Sequence, residues 1–559
     1  MKIIFNKITV LVAVLCFTTG CNEFLKEEPK GQAMDNLAFA QHSDLEGAVH
    51  ALNRQVLMAT KGRINFDPYY IGDDITTRVD KPTIRNWDTW DVTDEENELT
   101  IDTGCWYWLW KVIKAANYII NGAANTPEVT ADELTFALGQ AHYWRAYSYS
   151  ILVRFWGPVP LMLSGDIDLQ IPVSSIEEVY DLIVSDLLEA EKLPDNYTES
   201  PWAMNGKNVA VSKGAAQASL AYIYMCMAGW PMNKTEYYPM AAAKALEVIE
   251  AAESGRYYYQ LYDEYKDIHS RAQNWTNKEA ILAIYYSSVT GTGDDSEAAR
   301  GCICDIHTCS DRGYNDACAE IGFWMDFPEG PRKEWTFAPV TYFAASDTAV
   351  QWWDPILDRN MRQPMSRKSA FTSWGTPYEN EEYDHWKSFN SQSNGWSLQI
   401  HQVVRLAEVY CWYAEAVGRS GQTNARAISL LNKVRNRADG HGPVDDPAFN
   451  LYPANMSANE LAEAAYNEHG WEIAMWYWGS IAPRATDMIR MDRVKDHFEL
   501  RKRNPEYTIP NSGGVVLQEL LAPTGNWDQT KMFLPYPAAD KRLNPNLIDV
   551  DKLNLIFKK

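Results

Sequence analysis

Tryptophan offers a flat apolar ring with a single N–H donor, and this chain carries 22 of them in 559 residues. An indole is awkward to enclose, because its size and its N–H both need accommodation, so a surplus points to a recognition surface. Other groups with chemical potential are weaker. "CICDIHTCSDRGYNDAC" sets Cys302, Cys304, Cys309 and Cys318 around His307, but neither C-x-C nor the following gaps fit a zinc knuckle. In a chain bound for an oxidising compartment, a disulfide-pinned loop is the favoured reading. Asp73-Asp74 and Asp294-Asp295 lack the D-x-D-x-D-G spacing of a calcium loop and read as solvated turns. No G-x-S-x-G, H-E-x-x-H, P-loop or G-x-G-x-x-G occurs, and the ten histidines form no ligand spacing. With 74 acidic residues, chance carboxylate pairs of the glycosidase kind are inevitable and carry no weight. The expectation is a protein with no catalytic residues, no metal and no cofactor.

Helices must position whatever the tryptophans do. Apolar residues recur at helical spacing over 38–59, 106–122, 131–156 (stopped by Gly157-Pro158), 175–193, 212–229, 237–253, 403–419 and 424–438. Six of these runs form three neighbouring pairs: 131–156 with 175–193, 212–229 with 237–253, and 403–419 with 424–438. Small residues such as Ala215, Ala218, Ala221 and Ala414 suit close packing of helical hairpins, although no clean 34-residue repeat is present. Trp106, Trp108, Trp110, Trp144, Trp412, Trp471 and Trp476 fall in these stripes and read as core. Cys105, Cys226 and Cys411 read as buried thiols. From 287 to 399 the helical rhythm disappears and Gly, Pro, Asp, Ser and Trp dominate, and 66–103 is similar. Irregular segments that long are usually functional. The expected fold is mainly α: tetratricopeptide-like helical hairpins forming a scaffold, with a large irregular, loop-rich insert carrying the ligand surface.

The N-terminus addresses the chain outward. Lys2 and Lys7, an apolar run from Ile8 to Phe17 and Thr18-Thr19-Gly20 make a secretory signal too short to span a bilayer, ending at Cys21. Removing residues 1–20 leaves a chain two charges more negative than its net −23. Such acidity excludes nucleic acid and disfavours adhesion of the folded surface to anionic lipid. No later run of eighteen uninterrupted apolar residues exists.

Eight segments in order, nearly spanning the chain, carry a resemblance: "CNEFLKEEPKGQ", "CWYWLWKVIKAANYII", "HYWRAYSYSILVRFWGPVPL", "VYDLIVSDLLEAEKLP", "VSKGAAQASLAYIYM", "VVRLAEVYCWYAEAV", "AISLLNKVRNRAD" and "FLPYPAADKRLNPNL". Together they resemble the SusD/RagB (starch-utilisation-system D-like) lipoproteins of Bacteroidetes outer membranes. The resemblance implies lipidation at Cys21, so residues 1–20 form the signal peptide and 21–37 a tether. The SusD-like domain then fills 38–559, with a frame over about 38–286 and 400–559 and the insert over about 287–399. It implies a cell-surface protein, anchored in the outer membrane, that captures a glycan or oligosaccharide. The captured nutrient passes to a SusC-like TonB-dependent transporter without being altered. A protein-interaction scaffold or a peptide-binding homologue is the alternative, and a glycan-active hydrolase is less favoured. One departure stands out. In "NEHGWEIAMWYWGSIAPRATDMIRM", His469 replaces a family arginine, while Glu468, Glu472, Asp487 and Arg490 match. The expectation is that the family's buried ion pairs are disturbed here and the fold is kept.

A sugar ring has an apolar C–H face and hydroxyl edges, so a glycan site wants flat aromatics flanked by acids, amides or arginine. In related proteins the binding surface takes one cluster from the early loop and another from the central insert. By location, the first is expected to be Asp73, Arg78, Trp87 and Trp90. The second is Trp324 and Trp335 with Trp352, Trp353 or Trp374. The rival reading for each tryptophan is a ring wedged beneath its own loop.

Overall fold

The protein is described by a computed structural model covering residues 39–60, 67–79, 82–95, 104–164, 168–203, 210–269, 276–285, 299–300, 317–338, 341–343, 348–366, 368, 396–397, 400–475, 479–549 and 552–558. The signal run, Cys21, Asp294-Asp295, Cys302, Cys304, Cys309, Trp374 and Trp476 lie outside the described residues.

The helices follow the hydrophobic periodicity closely. They are α1 (Ser43–Thr60), α2 (Pro82–Asp88), α3 (Cys105–Gly122), α4 (Ala131–Trp156), α5 (Ile176–Ala190), α6 (Lys213–Ala228) and α7 (Tyr237–Glu253). After the insert come α10 (Leu406–Arg419), α11 (Ala425–Ala438), α12 (Ala458–Ile473), α13 (Arg484–Arg490), α14 (Val494–Arg503) and α15 (Ala538–Leu543). Among its described residues the insert holds two short helices, α8 (Ile321–Asp326) and α9 (Pro331–Thr336). The starts are set by capping boxes: Thr130 with Glu133 on α4, Ser175 with Glu178 on α5, and Ser457 with Glu460 on α12. Gly157, at φ 77°, ends α4 in a conformation that favours glycine.

Packing runs as a ladder, α1 on α3, then α4, α5, α6, α7 and α10, with α11 and α12 closing the far end. The three expected hairpin pairs are all in contact. α6 is buried from Gly214 to Ala228, which explains why its sequence is apolar all round. The run expected to be helical from Val403 instead starts as a strand. β4 (His401–Arg405) pairs antiparallel with β2 (Ala280–Ile284) and turns into α10 only at Leu406. The remaining strands named here are short: β1 (Thr76–Thr77), β3 (Ala317–Cys318), β5 (Tyr507–Thr508) and β6 (Val516–Leu517). Trp106, Trp144 and Trp412 are buried as expected, while Trp108, Trp110 and Trp471 pack half-buried against the same core. Cys226 and Cys411 are buried thiols whose pKa burial pushes up. Among the described residues no helix is long and apolar enough to cross a membrane.

The buried ion pairs are intact, contrary to the expectation drawn from His469. Glu472 Oε1 accepts from Arg405 Nη1 (2.8 Å) and Arg437 Nη2 (2.6 Å), and Glu472 Oε2 from Arg332 Nη1 (3.2 Å). Glu279 accepts from Arg405 (3.2 Å) and Arg437 (2.5 Å), and Glu468 accepts from Arg435 (3.2 Å) and the Tyr452 hydroxyl (2.6 Å) and is ion-paired with Arg332 at 2.8 Å. The guanidinium groups come from the insert, β4 and α11, so the arginine missing at 469 is not needed by these glutamates. Burial alone would raise the Glu472 pKa, but Arg437, Arg405 and Arg332 hold it far below the usual range. His469 takes a place in a second network. Its Nδ1 lies 2.5 Å from Asp487, its Nε2 3.4 Å from Glu408, and Asp487 also binds Arg490, which grips Glu415. Burial disfavours the imidazolium, but Asp487 and Glu408 outweigh it and push the pKa up to about 9. The Trp412 indole N–H, 3.0 Å from Nε2, opposes them by favouring the neutral ring.

Two outcomes follow from these networks. Glu472→Gln strips the countercharge from three buried arginines and should lower unfolding free energy by about 3–5 kcal/mol, read as a reduced urea midpoint at unchanged slope. Below about pH 6.5 His469 is charged in both folded and unfolded chains, so its stabilisation is complete there. As pH rises toward 9 the unfolded chain releases the proton first and stability falls. Urea titrations between pH 6.5 and 9 should show that decline in the native chain and a flatter profile in His469→Gln.

Candidate functional site

Three segments distant in sequence are brought to one edge of the helical frame. β1 pairs antiparallel with β3, Thr76 opposite Cys318 and Thr77 opposite Ala317, which stitches the early segment to the insert. Asp88, at the end of α2, locks the joint. One carboxylate oxygen accepts from the Thr76 hydroxyl (2.9 Å), the Thr77 N–H (3.0 Å) and the Thr77 hydroxyl (3.2 Å). Arg501 on α14 donates to Asp88 (3.2 Å) and to Glu320, and His497 lies 2.9 Å from the same Glu320 oxygen. α8 begins at the next residue, so Trp324 is delivered to this edge. Gly322 permits it, since a Cβ there would meet the Tyr507 hydroxyl at 2.7 Å. The Gly322 N–H donates to Glu519 (3.0 Å), whose pKa burial and Glu320 push up to about 7.

On this edge the insert builds an aromatic shelf. Trp352 is buried with Ile321, Ile509 and Leu517 beneath it. Trp324 and Trp353 lie half-buried against Trp352, their ring centroids each 5.2 Å from it at interplanar angles of 80° and 85°, and 6.2 Å from one another. The Lys333 ammonium sits 4.2 Å from the Trp324 centroid and binds Glu329 at 2.6 Å. Trp324 therefore has a cation on its ring, and Trp353 is the less encumbered of the two. Trp335, on α9, is half-buried.

Beside the shelf, Asp73 is gripped from both sides by Arg484 (Nε to Oδ1 2.7 Å, Nη2 to Oδ2 2.8 Å), and Arg484 lies over Tyr466 at 4.5 Å. Burial works to raise the Asp73 pKa, and Arg484 more than offsets it. Asp326, exposed at the end of α8, has its pKa raised by partial burial and by the charge of Asp73, so the two segments share a field. Asp73-Asp74 is not the solvated turn expected from sequence. Asp74 is buried, accepts from the Met475 N–H at 2.8 Å, and burial and Asp73 push its pKa up to about 7. Arg78 follows β1 directly and is half-buried.

Trp87 and Trp90 require correction as solvent-facing platforms, being 1% and 5% exposed. α2 turns Trp87 inward with Ile84, because Asp88 is held by β1 and Arg501. Trp90, at φ 56°, folds back onto His497 and Phe498 at centroid distances of 5.7 and 5.6 Å. Both line a cavity of about 350 Å³ on the C-terminal side of the joint instead. Sequence reasoning missed Arg484, Lys333 and Tyr507. Arg484 lies in the family stretch around His469 but was given no role there, Lys333 and Tyr507 sit in no motif, and each joins the site only through a different helix or strand. The arrangement pairs aromatic rings with a guanidinium-held carboxylate, which suits stacking plus hydrogen bonding. Asp73 and Asp326 have pKa values displaced in opposite directions, but both Asp73 oxygens are occupied by Arg484, which makes it an anchor rather than a base.

Two family profiles match the chain. Residues 40–225 match one described as "Starch-binding associating with outer membrane", and residues 323–551 match the SusD family. A "SusD-like protein" of Bacteroides ovatus is 24% identical over 596 aligned positions, covering 97% of each chain. Among solved structures, a SusD homolog from Bacteroides thetaiotaomicron superposes with a TM-score of 0.74 at 20% identity, covering 93% of this chain and 99% of that one. Another, whose description names a xylogluco-oligosaccharide, superposes at 0.66 and 20% identity, covering 90% of this chain and 97% of that one. Profile matches over the N-terminal frame and from within the insert through the C-terminal segment, near-complete relatives and the shared fold agree: the chain belongs to the SusD/RagB family.

Proposed function

We propose that this protein captures a glycan at the outer-membrane surface and passes it, unaltered, to a SusC-like TonB-dependent transporter. The observation that carries the reading is the shelf of Trp324 and Trp353 over Trp352, fixed to the early segment by β1 and β3 and flanked by Asp73 and Arg484. Half-buried indoles on a rigid base give a sugar ring an apolar face at little ordering cost. The carboxylate and guanidinium beside them meet hydroxyl groups. A related structure that names a xylogluco-oligosaccharide supports the ligand class. Lipid on Cys21 supplies the attachment that the acidic folded surface does not. Trp335 and Trp374 extend the reading as further insert aromatics, and Arg78 as a polar neighbour of β1.

Binding is tested by affinity gel electrophoresis of the chain from Asn22 through plant, fungal and host polysaccharides, with reducing ends assayed in the same mixtures. Retardation by one glycan class without new reducing ends is expected, and new reducing ends would overturn the non-catalytic reading. Trp353→Ala should weaken retardation by roughly tenfold, about 1.4 kcal/mol, with the melting temperature nearly unchanged because that ring is half-exposed. Cys21→Ser should abolish incorporation of labelled palmitate and release the chain from outer-membrane fractions. Retained label in that variant would place the lipid elsewhere.

A further inference from the structure

On the basis of the glycan capture proposed above, we infer that the glycan held by the shelf is acidic. Arg359 and Arg362, beside Trp353, form the subsite that receives the carboxylate or sulfate of one of its sugars. Both lie in the segment that follows Trp353, and both are half-buried. Arg362 Nε donates to the Trp353 carbonyl at 3.2 Å, so its guanidinium starts one hydrogen bond from the backbone of the less encumbered ring. Arg359 Nη1 donates to the Arg362 carbonyl at 3.4 Å, and its Nη2 to the Gln518 carbonyl.

These neutral carbonyls are their only acceptors, and among the described residues neither arginine is ion-paired with a carboxylate. On the same edge Arg484 holds Asp73 and Arg501 holds Asp88. Acids are not scarce, at 74 against 51 basic residues. The two nearest in sequence are turned to the backbone instead: Asp354 Oδ1 accepts from the Ile356 N–H (2.9 Å) and Asp358 Oδ1 from the Asn360 N–H (2.8 Å). Two like charges are thereby set side by side. Burial and the charge of Arg362 lower the Arg359 pKa, whereas for Arg484 and Arg501 burial is outweighed by Asp73 and Asp88. The Nη1 and Nη2 groups of Arg362 and the Nε of Arg359 have no acceptor in the chain, and none of them is sealed from solvent, so an entering ligand can reach them.

A cleft of about 330 Å³ opens here, lined by Arg359, Asn360 and Gln518 with Val79, Val516 and Leu517. Leu517 also packs beneath Trp352, so cleft and shelf share a wall, and the volume is in the range of small-ligand sites. Two acids border it, and neither pairs with Arg359. Glu506 is exposed, and Glu519 is buried, its pKa pushed up to about 7 by burial and Glu320, so it is only part-ionised near neutrality. A neutral sugar would hydrogen-bond to the guanidinium groups yet leave the repulsion between them. A carboxylate or sulfate removes it, and the planar guanidinium fork matches two oxygens of either group.

The test is affinity gel electrophoresis of the full chain in detergent at neutral pH, through three sets of gels. One set holds polygalacturonate or hyaluronan (carboxylate), one κ-carrageenan or dextran sulfate (sulfate), and one xyloglucan, laminarin or mannan (neutral). Retardation by a carboxylated or a sulfated polymer is expected, and the set that retards the chain identifies the anion. A chain this acidic is repelled by polyanions as a whole, so such retardation does not come from bulk charge. Reducing the carboxyl groups of the retained polymer, or removing its sulfates, should weaken retardation by roughly tenfold or more, as should Arg359→Gln with Arg362→Gln in the chain. Retardation by neutral polymers alone overturns the acidic ligand and leaves glycan capture standing, while retardation by none overturns both. An acidic polymer held equally well by the arginine variant overturns the subsite. Should the double variant fail to fold, Arg362→Gln alone, which loses a single hydrogen bond, and the neutralised polymer run against the native chain decide.

Discussion

Glu472 is the residue on which the architecture turns. Three guanidinium groups converge on one carboxylate with no access to water, and each arrives from a different part of the chain: Arg332 from the insert, Arg405 from the end of β4, Arg437 from α11. A charge taken out of water is tolerable only when its compensation is complete, so the cluster is all-or-none. Glu279 and Glu468 complete it, bringing in the β2 edge and Arg435. The consequence is mechanical. The insert is bolted to the helical ladder through Arg332, and the surfaces it carries inherit the stiffness of the ladder.

A second charged joint sets the direction in which the insert faces. Asp88, Arg501, Glu320 and His497 tie α2, α14 and the residue just before α8 into one unit, and the two-residue pairing of β1 with β3 needs that support. So short a ladder would be negligible alone. Held by buried carboxylates, it fixes Trp324 and Trp353 relative to Asp73 and Arg484. Trp324, on the short helix α8, and Trp353, in the turn at 352–353, thus take their positions from buried ion pairs underneath, as side chains mounted on a rigid scaffold do.

The helical frame was legible because its signals are local. Caps such as Thr130 and Ser175, the stop at Gly157-Pro158 and the apolar stripe of α3 are read within a few residues, and they placed most helix ends to within a few positions. The start of α10 was misplaced for a physical reason: a strand buried on both faces, "HQVVR", has no alternation to distinguish it from a helix. The effect of His469 was also misjudged. Losing one arginine in the local motif says nothing about Arg332, which lies 137 residues earlier in the sequence yet reaches Glu468 and Glu472.

The site divides along the same line. The sequence by itself showed that the chain is rich in tryptophan, that many of these rings fall in irregular segments, and that the protein is acidic. Those are properties of residue type and order, which need no coordinates. Which rings face solvent was decided only by the tertiary structure. Trp87 and Trp353 look alike in sequence, each beside acids in an irregular stretch, but Asp88 and Arg501 rotate one into the interior, while Trp352 props the other at the surface. Burial depends on what arrives from elsewhere in the chain, and a single residue's neighbours in sequence do not contain that information.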